Sequence, residues 1–106
     1  MKNTILPVWN TPNTQRLAQV LADIADVYEM QNFLRDVMTE KEIIEISARY
    51  KAAQMLLDGS KYSEIVAATK LSSRTVARIS DWLKNGTGGY KIALMHHEHM
   101  SPAHAD

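Results

Sequence analysis

An all-α fold is predicted by two observations. Apolar residues return at spacings of three and four along most of the chain, and no stretch alternates long enough to make a strand. Residues able to cap helices stand just ahead of the apolar stripes, and glycines follow the last two long ones. At 106 residues and 45% apolar content, the chain suits one compact domain. Its core should be modest, because a chain this short buries only about two-thirds of its unfolded surface.

Residues 1–10 read as an N-terminal arm. Thr11 before Pro12 pairs an N-cap with proline at the first helical position. Leu17, Val20, Leu21, Ile24, Val27 and Tyr28 then recur at helical spacing. Asp26 and Glu29 have the spacing of a capping box. Met30, Phe33, Leu34 and Val37 therefore mark either a second helix or the kinked end of the first. "TEKE" at 39–42 is another such box, opening a long helix with Ile43, Ile46, Tyr50, Ala53 and Leu57 on one side. Ile44 and Leu56 widen that stripe, so the helix should touch more than one neighbour, a second subunit among them. Asp58-Gly59 ends it, with glycine suited to the left-handed position.

The next helix is expected from about Tyr62 to Thr69, burying Ile65, Val66 and Thr69. Leu71 plugs a short turn, and Ser72 caps a helix running to about Asn85. In that helix Val76, Ile79 and Leu83 face inward, while Ser73, Arg74, Ala77, Arg78 and Asp81 face outward. Gly86 stops it. "GTGGY" then reads as a flexible connector to a short end piece, "KIAL", closing a domain that spans 11–94. Residues 95–106 lack apolar periodicity and read as a flexible tail.

Net charge is zero, but its distribution is uneven. Residues 1–59 hold six Lys/Arg against eight Asp/Glu, and 92–106 hold none against two. Lys61, Lys70, Arg74, Arg78, Lys84 and Lys91 face only Glu64 and Asp81 within 60–91, a local +4. A basic block of this kind can attract a polyanion locally, although chance clustering of surface lysines would look the same. The absence of cysteine removes disulfides and thiolate metal sites. No segment has the apolar length of a signal peptide or membrane span, so a cytoplasmic protein without membrane contact is expected.

Two helices meeting through a turn of three or four residues form a helix-turn-helix, here about 62–85. In that arrangement the first helix crosses the DNA backbone and the start of the second enters the major groove. The second helix needs short side chains early and longer donors a turn later. Ser72, Ser73, Arg74, Thr75 and Arg78 meet that need. Arginine can hold guanine at O6 and N7, and the threonine methyl can meet thymine. Lys61, Tyr62, Ser63 and Lys84 could hold phosphates, which fix position without reading sequence, and Lys70 at the turn joins the DNA-binding set. A capped helix start with solvated arginines would use the same residues; basic surroundings and correct spacing favour the reading head.

"YSEI" at 62–65, "SSRTVARI" at 72–79 and "NGTGGYK" at 85–91 resemble the tryptophan-repressor-like helix-turn-helix family, in particular its branch in Gram-positive bacteria. The similarity covers roughly residues 15–94. It implies a Trp-repressor-like helical domain, assembled as an intertwined homodimer that binds operator DNA as a transcriptional regulator, read here as a repressor. The family's corepressor contacts align with Thr39, Arg49 and Arg78. Ile79 stands where the repressor has a slot-lining glycine, and Trp82 where it has a serine. No cofactor is expected, and tryptophan binding is not, since a branched side chain filling the slot costs ~1–3 kcal/mol. An altered pocket taking a smaller effector is the competing view, and Arg49 could simply pair with Glu45. Val66 and Lys70 also depart from the alanine and glycine usual in this motif.

Other chemistry is set aside. "HEHMS" lacks the second histidine of a zinc-protease motif, so His96, His97, His99, His104 and Glu98 are not read as a metal site. Trp9 and Trp82 read as packing anchors and the six methionines as core filler. "GTGGY" follows a helix, whereas a phosphate-cradling loop precedes one. No nucleophile–base pair suggests an enzyme. The alternative to a DNA reader is a helical dimerisation or adaptor module that retains the motif without reading DNA.

Overall fold

The structure is a computed structural model that describes residues 7–98. Among the described residues there are six α-helices and no strand. They are α1 (Pro12–Asp23), α2 (Val27–Val37), α3 (Glu40–Leu57), α4 (Tyr62–Thr69), α5 (Ser73–Asn85) and α6 (Gly89–His97), preceded by a 3-10 turn at Pro7–Trp9. Contacts divide the chain into a unit ending at Glu40 and another beginning at Lys41.

In the first unit, the Thr14 amide donates to the Thr11 hydroxyl at 3.2 Å, and Pro12 opens α1 as expected. The Gln15 amide group donates to the Trp9 carbonyl at 2.9 Å, tying the 3-10 turn to α1. Ile24 is extended, and the Glu29 amide donates to the Asp26 carboxylate at 2.9 Å. The capped restart makes α2 a second helix and not a bent end of the first. Arg35 donates to the Met38 carbonyl at 3.1 Å and pairs with Glu40 at 3.6 Å. Neither α1 nor α2 contains a fully buried residue: Val20, Leu21, Met30, Phe33 and Leu34 are half-buried, and Leu17, Val27, Tyr28 and Val37 are exposed.

The second unit holds the core. Ala52, Ala53, Ile65, Val76, Ile79, Leu83 and Leu94 are buried, with Tyr50, Met55, Leu56, Val66, Leu71 and Tyr90 packed against them. Two small residues, Ala52 and Ala53, are the buried part of α3. Of the expected α3 stripe, Ala53 is buried and Ile43 and Tyr50 are half-buried, while Ile46 and Leu57 stay exposed. Ile44 and Ile46 are 68% and 55% exposed.

The end of α3 is a Schellman motif: Ser60 N–H donates to Met55 O at 2.9 Å and Gly59 N–H to Leu56 O at 3.1 Å. Gly59 takes φ 87° there. The α4–α5 turn is held by Thr69, whose hydroxyl donates to the Ile65 carbonyl at 2.7 Å and accepts from the Leu71 amide at 3.3 Å.

Beyond α5 the sequence expectation needs correction. The connector is only 86–88, since Gly89 and Tyr90 already belong to α6. Met95 to His97, read as the start of a flexible tail, form the last turn of that helix. Leu94 anchors it in the core, and Glu98 accepts from the Tyr50 hydroxyl and the Gln54 side-chain amide, both at 3.2 Å. A single buried leucine shows no periodicity, which is why the pattern missed the helix. His99 and His104 lie outside the described residues.

Candidate nucleic-acid interface

Helix α5 begins at a well-made cap. The Thr75 amide donates to the Ser72 hydroxyl at 3.1 Å, and the two side-chain oxygens lie 3.0 Å apart. Val76, Ile79 and Leu83 occupy the buried face, which sets α5 in rotation. At 100° per residue, Ser73, Arg74, Ala77, Arg78 and Asp81 must then point away from the core. They do: all five are exposed. Neither guanidinium has a hydrogen-bond or ion-pair partner among the described residues.

Helix α4 lies against α5 and starts at Lys61, whose amide donates to the Glu64 carboxylate at 2.8 Å. Lys61, Tyr62 and Ser63 are exposed at that start, and Ser72 is exposed across the turn. Lys70 is exposed at the turn and holds φ 65° and ψ 10°, the left-handed conformation usually given to glycine. Lys84 is exposed at the far end of α5. Thr75 differs from the others: it is half-buried and engaged with Ser72, so its hydroxyl is already committed to the cap. Asp81, the one acid on this exposed face of α5, accepts from the Asn85 side chain at 2.9 Å.

The residues aligned with the corepressor contacts are placed less suggestively. Thr39 precedes α3 in the first unit, whereas Arg49 and Arg78 belong to the second. Arg49 pairs with Glu45 at 2.9 Å along the helix surface, while its Nε is buried with no partner among the described residues. Burial pushes the Tyr90 hydroxyl pKa up, and the Arg49 charge partly offsets this. Ile79 is fully buried and therefore part of the core.

Two grooves flank α5. One, of about 650 Å³, runs along the Trp82 side and is lined by the α5–α6 connector, Tyr90 and Ala93. Trp82 is 38% exposed there, so it does not seal the core as a packing anchor would. The other, of about 410 Å³, lies on the Ser80–Lys84 side. Neither groove is lined by Thr39, Arg49 or Arg78. Sequence reasoning misses Ser60 and Ser80 and takes Lys91 only as part of the basic block. They are distant along the chain, and only the fold brings them together. Among the described residues no group of three metal-ligating side chains forms, and no helix is long and apolar enough to cross a membrane.

Comparison with known proteins supports the fold and its helix-turn-helix. The profile of the Trp repressor protein family matches residues 13–98. The uncharacterized protein YerC of Bacillus subtilis (strain 168) is 30% identical over 79 residues, covering 74% of this chain and 76% of that protein. A solved structure of a TrpR-like protein from Eubacterium eligens ATCC 27750 superposes with a TM-score of 0.79 at 30% identity. That match covers 83% of this chain and 91% of the other. With most of its length matched, the chain belongs to the Trp repressor family, whose members are helix-turn-helix DNA-binding regulators and not enzymes.

Proposed function

We propose that the protein is a homodimeric, sequence-specific transcriptional repressor that inserts α5 of each copy into the major groove of a near-palindromic operator. The observation that carries this reading is the pair of unpartnered, outward-facing arginines, Arg74 and Arg78, on a helix rotated by its buried Val76, Ile79 and Leu83. Ser73 at the start of α5 is small enough to permit close approach to base edges. Lys61, Tyr62, Ser63, Lys70 and Lys84 flank it as phosphate contacts, with Ser72 at the cap. Dimer symmetry sets half-sites about one turn apart, ~34 Å, or a multiple of that.

A homodimer is supported by what the single chain leaves uncovered. Val27, Tyr28, Val37, Ile44 and Ile46 are all more than half exposed, and water contact on so many large apolar side chains is unfavourable. A second copy presenting the same stripes would cover them. Tryptophan is not the effector in this reading, because the Ile79 side chain occupies core space where an indole slot would need a glycine. Isothermal titration with tryptophan should therefore give no heat of binding.

Fluorescence anisotropy of genomic fragments titrated across salt concentrations tests the main proposal. Binding should weaken as salt rises, with a linear negative log–log slope from counterion release. Absence of salt-sensitive binding to any fragment would falsify it. The adaptor reading draws support from zero net charge and from Asp81 on the exposed face of α5. It predicts protein partners that survive nuclease treatment.

A further inference from the structure

The groove on the Ser80–Lys84 flank of α5 combines apolar and cationic lining. It is formed by the end of α3, the start of α4, α5 and the start of α6, with a volume of about 410 Å³. Leu56, Leu57 and Leu83 supply apolar lining. Lys84 and Lys91 bring two ammonium groups to it, with the hydroxyl-bearing Ser60, Tyr62 and Ser80 alongside. No carboxylate lines it, and none of these five polar side chains has a partner among the described residues.

Two cations sharing a groove without a counter-charge repel each other, and an anion between them reverses the sign of that interaction. Leucines gain only from an apolar group laid against them. A bare phosphate, free or in a DNA backbone, would satisfy the lysines and leave the leucines wet. The volume falls within the roughly 300–1,000 Å³ usual for small-molecule sites.

We propose that this groove binds a small organic acid, with its carboxylate held by Lys84 and Lys91 and its apolar tail against Leu56, Leu57 and Leu83. Tyr62 and Lys84 also belong to the proposed DNA-contacting set, so an acid seated here competes with two phosphate contacts and loosens the operator complex. That regulatory consequence rests on the DNA-binding reading; the binding itself does not.

Octanoate below its micelle concentration is a suitable probe for the full chain, followed by ¹H–¹⁵N chemical shifts, with 1-octanol and inorganic phosphate as comparators. Octanoate should give saturable shifts at Ser60, Tyr62, Leu83, Lys84 and Lys91, several-fold more tightly than either comparator. Lys91→Gln should weaken octanoate by roughly two- to fivefold. Leu57→Ser, which lies outside both the basic block and the DNA-contacting set, should also weaken octanoate while leaving DNA affinity in its absence unchanged. Equal binding of octanol, tighter binding of phosphate, or shifts centred on the Trp82 groove would overturn the proposal. Octanoate shifts that persist in a protein showing no salt-sensitive DNA binding would support the acid site while removing its regulatory consequence.

Discussion

Lys70 occupies a backbone conformation that costs an L-residue ~1–2 kcal/mol. Glycine would remove that penalty while adding ~0.5–1 kcal/mol of chain entropy to lose on folding. Lys70→Gly should therefore raise unfolding stability by about 0.5–1 kcal/mol in a urea titration. That a lysine stands here at all is explained if its charge serves the DNA face. The same variant should then lower DNA affinity for every sequence alike. Arg74→Ala should behave differently: as the proposed base contact, its loss should relax sequence preference at one operator position by ~1–3 kcal/mol. Binding measured on operator variants separates the two, and uniform loss would make Arg74 a phosphate contact. Ile79 is packed on all sides, so Ile79→Ala should cost ~2–5 kcal/mol. A small loss in denaturant titration would show that the residue fronts an open slot.

Among the elements, α5 depends on both of its ends. Ser72→Ala removes the acceptor for the Thr75 amide and should cost ~1 kcal/mol, read from the denaturant midpoint. At the other end, a Cβ on Gly86 would meet the Trp82 carbonyl oxygen at 2.5 Å, so the chain can leave α5 this way only through glycine. The last helix is tied to α3 through Tyr50 and Gln54 on Glu98. Burial, then the hydrogen bond and the charge of Glu98, raise the Tyr50 pKa above its ordinary 10.0. A phenol whose folded pKa is raised contributes stability that is complete below 10.0 and lost as pH climbs through the shifted value. Thermal melts taken through that alkaline range should fall more steeply for the native chain than for Tyr50→Phe. Tyr90 is shifted in the same direction, so the variant should retain part of the slope.

For the whole molecule, the decisive fact is that the buried core lies within α3 to α6, while Leu17, Val27, Tyr28, Val37, Ile44 and Ile46 on α1, α2 and the first half of α3 stay exposed. Two copies that exchange these faces would gain the burial neither has alone. Ile44→Glu or Ile46→Glu places a charge on the α3 part of that face. In the proposed assembly, either should convert dimer to monomer in sedimentation experiments and weaken operator binding with it, because two reading heads at fixed spacing are lost. The surface of α5 is untouched by these substitutions. A dimer that persists in both variants would move the interface elsewhere.

Residue order by itself determined the helices that begin and end with local chemistry. Thr11-Pro12, Asp26 with Glu29, Asp58-Gly59 and Ser72 are cap and stop signals whose hydrogen bonds span three to five residues, so they can be read without knowing the fold. The rotation of α5 was legible for the same reason, since Val76, Ile79 and Leu83 repeat with the helical period and leave Arg74 and Arg78 outside. Tertiary structure alone decided the rest. It ran α6 to His97 through one buried leucine and two bonds to Glu98 that bridge more than 40 residues. It committed the Thr75 hydroxyl to the cap, left Trp82 half in water, and brought Ser60, Ser80, Lys84 and Lys91 to one groove. Local hydrogen bonds depend on near neighbours in the chain, whereas burial and shared grooves depend on which distant segments meet, and that is settled only when the core closes.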